Sequence, residues 1–156
     1  MPPRDERAAH AKHTDYDVVV IGGAIAGSSA AQLLKRRAPE ARILIVEREP
    51  RFDRKVGEAT VEVSSFFLYR VLGMFGLATG EHLLKHGLRL WFHERPDATL
   101  EQMCEIGPLE APRLPTFQLD RSKLDESLLA EAGAAGIEIA RPARVTDIEL
   151  GWPASG

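Results

Sequence analysis

Residues 15–47 read DYDVVVIGGAIAGSSAAQLLKRRAPEARILIVE, and this stretch decides the fold. Residues 16–21 are a short β-branched run bounded by glycines, the pattern of a buried parallel strand. Gly22-Gly23-Ala24-Ile25-Ala26-Gly27 follows at once. From Ala26 to Arg37 the chain lacks proline and β-branched residues, and it ends in Lys35-Arg36-Arg37 before Pro39, as a helix C-terminus should. Residues 43–46 form a second apolar run that closes on an acid, Glu47. The order is strand, turn, helix, strand.

That order suits a dinucleotide. A pyrophosphate rests on a helix N-terminus, where unpaired backbone N–H groups and the positive end of the helix dipole face the anion, so the turn must be nearly bare of side chains. Gly22 supplies the tight turn, and Gly27 lets helix and strand pack closely. Glu47, twenty residues after Gly27, stands where an acid accepts hydrogen bonds from an adenosine ribose. An acid there disfavours a 2′-phosphate, so FAD or NAD is expected over NADP. Ala24 takes the middle glycine's place in G-x-G-x-x-G, with its methyl expected to point where the backbone approaches the phosphates. The fold class expected is α/β, a Rossmann-like dinucleotide-binding domain over residues 15–156.

Composition narrows the field. With 156 residues the chain suits one domain with a real core, and 44% hydrophobic with 28% charged residues is the balance of a soluble globular protein. A net charge of −3 carries no footprint for nucleic acid or an anionic membrane. The single cysteine, Cys104, excludes an internal disulfide framework and a thiolate metal cluster. Residues 1–14 are polar and mixed in charge, and read as a disordered leader. Acids at Asp15 and Asp17 and the Gly22-Gly23 interruption argue against a signal peptide, no apolar stretch could span a bilayer, and a cytoplasmic enzyme is expected.

Beyond Glu47, residues 48–55 are polar and carry Pro50, so a loop is expected. A helix over 61–72, capped by Thr60 and stopped by Gly73, is unusually apolar. A short helix over roughly 79–86 precedes 88–93, whose alternation reads as a half-buried strand with Trp91 and Phe92 in the core. Four prolines make 94–115 a long irregular connection. A short strand at 116–119 leads to the last helix, 121–135, with Leu124, Leu128, Leu129 and Ala132 on one face and capping-box spacing between Ser122 and Asp125. Residues 137–139 and 145–150 read as further strands. His82 and His86 have helical i, i+4 spacing, but no third ligand is arranged in a recognised way, so no metal site is expected.

Together these motifs resemble the N-terminal part of an FAD-dependent monooxygenase of the group that includes the flavin-dependent, tryptophan-type halogenases. Beside the dinucleotide unit with Glu47, the run VGEAT at 56–60 is similar to the halogenase strap that lies along the flavin. The run KHGLRL at 85–90 resembles the segment holding the halogenase active-site lysine, and FQLDRSKLDESLLAEAGAAGIEI at 117–139 is similar to the D-R-x-x-L/F-D-x-x-L-L helix of the flavoprotein superfamily. Full-length relatives are several times longer, so the resemblance implies an incomplete, truncated FAD-binding portion. Neither their downstream G-D segment nor the halogenase W-x-W-x-I-P run occurs in these residues, and Glu62 stands where halogenases usually carry proline.

The resemblance implies FAD as cofactor, held by Gly22, Gly23, Ala24, Ile25, Ala26, Gly27, Glu47 and Arg48, by Glu58 and Ala59 of the strap, by Arg121 near the phosphates and by Val145 at the adenine. It implies Lys85 as the catalytic lysine that holds hypohalous acid beside an aromatic or other apolar small-molecule substrate, and it allows a flavin reductase as partner. Plainer roles stand beside these: Lys85 as a solvated helix-end cation, Glu58 as a helix cap, Arg121 paired with Asp125 on a helix surface. Halogenation, hydroxylation or another oxidation all remain open. So do an NAD-binding dehydrogenase fragment and a non-catalytic truncated gene product.

Overall fold

The computed structural model describes residues 15–74, 76, 81–107, 110 and 115–151. In chain order its elements are β1 (Val18–Ile21), α1 (Ile25–Arg37), β2 (Ile43–Val46), α2 (Glu62–Phe66) running into a π-helical turn (Phe67–Val71), β3 (Leu83–Lys85), β4 (Leu90–Phe92), a 3-10 turn (Leu100–Gln102), β5 (Cys104–Ile106), β6 (Thr116–Gln118), α3 (Arg121–Ala134) and β7 (Glu138–Ala140). The chain divides into two compact units: the described residues up to 53 with those from 122 onward, and residues 54–121. The leader expected over 1–14 lies outside the described residues.

The first unit is a parallel sheet in the order β1-β2-β7. β1 aligns Val18 with Ile43 and Ile21 with Val46, and β7 aligns Glu138 with Leu44 and Ala140 with Val46. Ile43, Leu44 and Ile45 are all buried, which explains why β2 is a continuous apolar run rather than an alternating one. β1 corrects the expectation of a strand buried on both faces. Val18 and Val20 pack on the core, whereas Val19 and Ile21, which point to the opposite face of the sheet, are 51% and 58% exposed.

Ala31, Ile43, Ile45, Phe52, Leu129, Ala132 and Ile137 form the core cluster. Each large apolar side chain buried there contributes about 1.5–3 kcal/mol. α1 and α3 are also tied by a polar bond, the buried Gln32 Nε2 donating to the Leu128 carbonyl at 3.0 Å. α3 begins at Arg121, so Ser122 lies inside its first turn and not at the cap that its spacing to Asp125 suggested. No strand forms over 145–150: Ile148 and Leu150 are exposed, and the segment has no ladder partner among the described residues.

The second unit pairs β3 with β6 and β4 with β5, both antiparallel. Its buried apolar residues are Leu68, Leu72, Met74, Phe117 and Leu119, and Tyr69 stacks on Phe117 with ring centroids 5.8 Å apart. The helix expected over 61–72 is α2 followed by the π-helical turn, in which the Leu72 amide donates to the Phe67 carbonyl. Thr60 is not its cap. Val61 holds that position, and the Thr60 hydroxyl is committed to the Phe117 backbone, donating to its carbonyl at 2.9 Å and accepting its N–H at 2.7 Å.

The helix expected over 79–86 is contradicted where it can be seen, since Leu83–Lys85 is the strand β3. Pairing with β6 satisfies its backbone and overrides a weak local helical preference. β4 is shorter than the strand expected over 88–93 and exposed throughout; Trp91 and Phe92 are 46% and 52% exposed and not core. The connection expected to be irregular over 94–115 holds the 3-10 turn, with a capping box between Thr99 and Gln102, and β5. Part of that connection, 108–109 and 111–114, lies outside the described residues. Cys104 is exposed.

Candidate functional site

The turn after β1 is built by Gly22, whose φ of +95° suits glycine, and its amide extends the β1–β2 ladder by donating to the Val46 carbonyl at 2.8 Å. Gly23 then donates its N–H to Glu47 Oε2 at 2.7 Å. Gly27 is where helix and strand meet. A Cβ there would overlap the Gly22 carbonyl oxygen and lie 3.1 Å from Val20 Cγ1, so only glycine lets α1 sit this close to β1.

Ala24 is the N-cap of α1 in extended conformation, with no side-chain cap bond and no acid in the first helical turn. Its methyl packs on the core cluster, which corrects the expectation that it would point at the phosphate position. The first amides of a helix have no intrahelical acceptor, and α1 concentrates about half a positive charge at this end. One of them, Ile25 N–H, donates to Asp125 Oδ1 at 3.0 Å. Asp125 is 0% and Arg121 8% exposed, so neither stands on a helix surface. Sequence reading missed this link. The available signal was an acid beside Leu124 on the buried side of α3.

Glu47 is 6% exposed, and both of its carboxylate oxygens are engaged: Oε2 by Gly23 and Oε1 by the Glu49 amide at 2.8 Å. Its backbone continues the sheet, donating to the Ala140 carbonyl at 3.0 Å and accepting from the Ala143 amide at 2.8 Å. The fold therefore joins the glycine turn, α1's first residues and Glu47 in one cluster. Arg48 stands outside it, exposed and ion-paired with Glu49 at 2.9 Å. Val145 is half-buried in the irregular segment after β7.

The other residues singled out by the sequence belong to the second unit. Gly57 has φ +88°, and Arg121 Nη1 donates to the neighbouring Val56 carbonyl at 3.1 Å. Glu58 Oε2 accepts from Gln118 Nε2 at 3.2 Å and its carbonyl accepts the Leu119 amide at 2.7 Å, while Ala59 bridges to Gln118. The strap at 56–59 and Arg121 are thus brought together. Glu58 does not cap α2, whose N-cap is Val61. Lys85 ends β3, half-buried, and its carbonyl accepts the Thr116 hydroxyl at 2.7 Å, so it is not a helix-end cation. His82 Nδ1 accepts the Asp120 amide at 3.1 Å, and because the segment is a strand, His82 and His86 do not share a helical face. Among the described residues no group of three or more His, Cys, Asp or Glu side chains converges. Among the same residues no helix is long and apolar enough to cross a membrane.

The family model for tryptophan halogenases matches residues 17–107, more than half of the 156 residues. The chain belongs to the tryptophan halogenase family. This halogenase-family chain is 35% identical to the flavin-dependent halogenase chlA of Dictyostelium discoideum, over 78% of its own length and 22% of that protein's. It is 29% identical to the 1H-pyrrole-2-carbonyl-(peptidyl-carrier protein) chlorinase of Pseudomonas fluorescens, over 87% of its own length and 33% of that protein's. The chain therefore spans a third or less of the length of these relatives. Its fold is similar to that of the flavin-dependent brominase Bmp2, with a TM-score of 0.71 and 24% identity over 87% of this chain and 31% of that one. It is also similar to the halogenase PltM in complex with phloroglucinol and FAD, with a TM-score of 0.67 and 23% identity over 87% of this chain and 29% of that one.

Proposed function

We propose that this chain forms the adenosine-diphosphate end of the FAD site in an FAD-dependent oxidoreductase of the halogenase kind, acting on an aromatic or other apolar small molecule. The observation that carries the reading is the Gly23 amide bonded to Glu47 Oε2 at the mouth of α1. It sets an acid against a bare glycine turn, the arrangement that a ribose and its attached diphosphate require.

The residues present fit that group. Space between Gly22 and Gly27 is closed to any side chain, the N-cap of α1 carries no side-chain bond, and its own first turn holds no acid; the Ile25 amide is engaged by Asp125, so the diphosphate would meet the other amides of the turn. A carboxylate has roughly four acceptor positions, of which Gly23 and Glu49 use two, so Glu47 retains acceptors for ribose hydroxyls. In this reading Gly22 to Gly27 hold the diphosphate, Glu47 and Arg48 the ribose end, Val145 the adenine, and Arg121, Glu58 and Ala59 act within the strap of the second unit. Residues 15–156 belong to one FAD-binding portion. When bound, FAD supplies the oxygen and electron chemistry.

Lys85 is the proposed catalytic residue, donating from its ammonium or amine to the transferred oxidant beside the substrate. A flavin reductase as electron source and a cytoplasmic setting complete the proposal. PltM, solved with phloroglucinol and FAD, and chlA, a flavin-dependent halogenase, support it by kinship. Titration of the purified chain with FAD followed by flavin fluorescence tests it. Saturable quenching that excess ADP reverses is expected; unchanged fluorescence at millimolar protein would overturn it. In the full-length protein, Lys85→Met is expected to abolish product while leaving FAD binding intact.

A further inference from the structure

The segment from Glu47 to Phe52 is a loop, yet it presents the acid on which the proposed site turns. Its two ends are well held: the Glu47 backbone lies between Ala140 and Ala143, and the Phe52 ring is in the core. Its middle is tied to a distant part of the unit through Arg141. Arg141 Nε donates to the Glu49 carbonyl at 2.7 Å, and the Glu49 amide in turn donates to Glu47 Oε1 at 2.8 Å.

Arg141 is itself fixed by two partners, one of which is held in turn. Its Nη1 and Nη2 grip Glu126 as a fork at 2.7 and 2.8 Å, its guanidinium lies 4.3 Å from the centroid of the Phe52 ring, and Glu126 Oε1 also accepts the Phe52 amide at 2.8 Å. A planar fork held this way cannot swing, which is what distinguishes arginine from lysine at such a place. The sequence lies far apart on the two sides, 92 positions from Glu49 to Arg141, so the link exists only in the folded unit.

We infer that Arg141, fixed by Glu126, is the positioning residue for the Glu47 carboxylate: through the Glu49 backbone it aims Glu47 Oε1 and so determines how the acid meets a ribose diol. The ribose consequence rests on the FAD reading above; the positioning itself does not. Without the fork, the Glu49 carbonyl loses the Arg141 donor and keeps only the neighbouring Arg48 on its side chain, its amide swings from Oε1, and the carboxylate turns about the single remaining bond from Gly23.

The test uses Arg141→Met, which keeps an apolar stem over Phe52, with Arg141→Lys and Glu126→Gln as milder variants should the first fold poorly. Backbone amide exchange read by NMR should rise about tenfold or more at Glu49 and Gly23 in Arg141→Met, and less in the other two, while Ile45 in the central strand keeps its protection. ADP affinity by isothermal titration should fall about tenfold in Arg141→Met but not fall further when Glu47→Gln is already present. Unchanged exchange at Glu49 and Gly23, or an equal ADP loss with and without the Glu47 carboxylate, overturns the inference. Raised exchange in a protein that never binds ADP upholds the positioning and sinks the FAD reading instead.

Discussion

Gly27 faces the Gly22 carbonyl with no room for a side chain between them. The close approach of α1 to β1 depends on that single missing carbon, because the clash is with backbone and not with a flexible side-chain tip. Gly22 presents the opposite case: a Cβ there meets nothing within 4 Å, and only its φ of +95° resists substitution.

The two glycines should therefore respond differently to alanine. Gly27→Ala is expected to destabilise the first unit by about 3 kcal/mol or to prevent folding, since helix and strand must separate. Gly22→Ala should cost about 1–2 kcal/mol, the price of an L-residue at positive φ. Urea unfolding of both variants checks the order; equal losses would mean that α1 does not sit against the turn as described.

Asp125 closes the same region from the side of α3. Replacing it with alanine leaves the Ile25 amide without its acceptor in a part-buried place, which should cost about 1–2 kcal/mol, whereas Asp125→Asn retains an Oδ1 and should lose less. Thermal unfolding of the pair is the check. An asparagine variant as unstable as the alanine one would show that charge, not hydrogen bonding, is what Asp125 contributes.

Thr60 plays the equivalent part in the second unit. Its hydroxyl both donates to and accepts from Phe117, so Thr60→Val keeps the shape but removes the acceptor of the Phe117 amide, while the Phe117 carbonyl keeps the Thr60 amide as donor. A loss of about 1–3 kcal/mol is expected. Thr60→Ser should recover most of it, and if serine and valine unfold alike the hydroxyl is not what matters.

Acid should loosen the Glu126–Arg141 link. The Arg141 fork lowers the Glu126 carboxyl below its ordinary value of 4.5, helped by the Phe52 amide and by Arg51, while burial opposes them. A carboxyl whose pKa is lower folded than unfolded adds stability that is complete above the unfolded value and disappears as pH falls through the folded one. Unfolding midpoints taken from about pH 6 down to about pH 3 should thus drop more steeply in the native protein than in Glu126→Gln. Parallel curves would contradict the pairing.

The βαβ unit was legible in the sequence because its signals are local: a β-branched run, glycines at the turn, a basic helix end and an apolar run closing on Glu47. The pairing of Gly23 with Glu47, 24 positions apart, follows from that unit's geometry. Asp125, Glu126 and Arg141 were not legible, since they reach partners 100, 74 and 92 positions away and nothing in their neighbours marks those distances. β3 was misread for a related reason: Leu83, Leu84 and Lys85 favour a helix locally, and only the pairing with β6 makes them a strand. Trp91 and Phe92 alternate as half-buried residues do, but among the described residues neither is packed into the core.

The glycine turn and Glu47 acting together as the adenosine-diphosphate end of an FAD site can be tested by comparing FAD with FMN, which lacks the adenosine half, on the native chain and on Glu47→Gln by isothermal titration. The account predicts that FAD binds, FMN does not, and Glu47→Gln weakens FAD by about tenfold or more through the lost charged acceptor. Equal binding of FAD and FMN, or an FAD affinity indifferent to the Glu47 substitution, would contradict it.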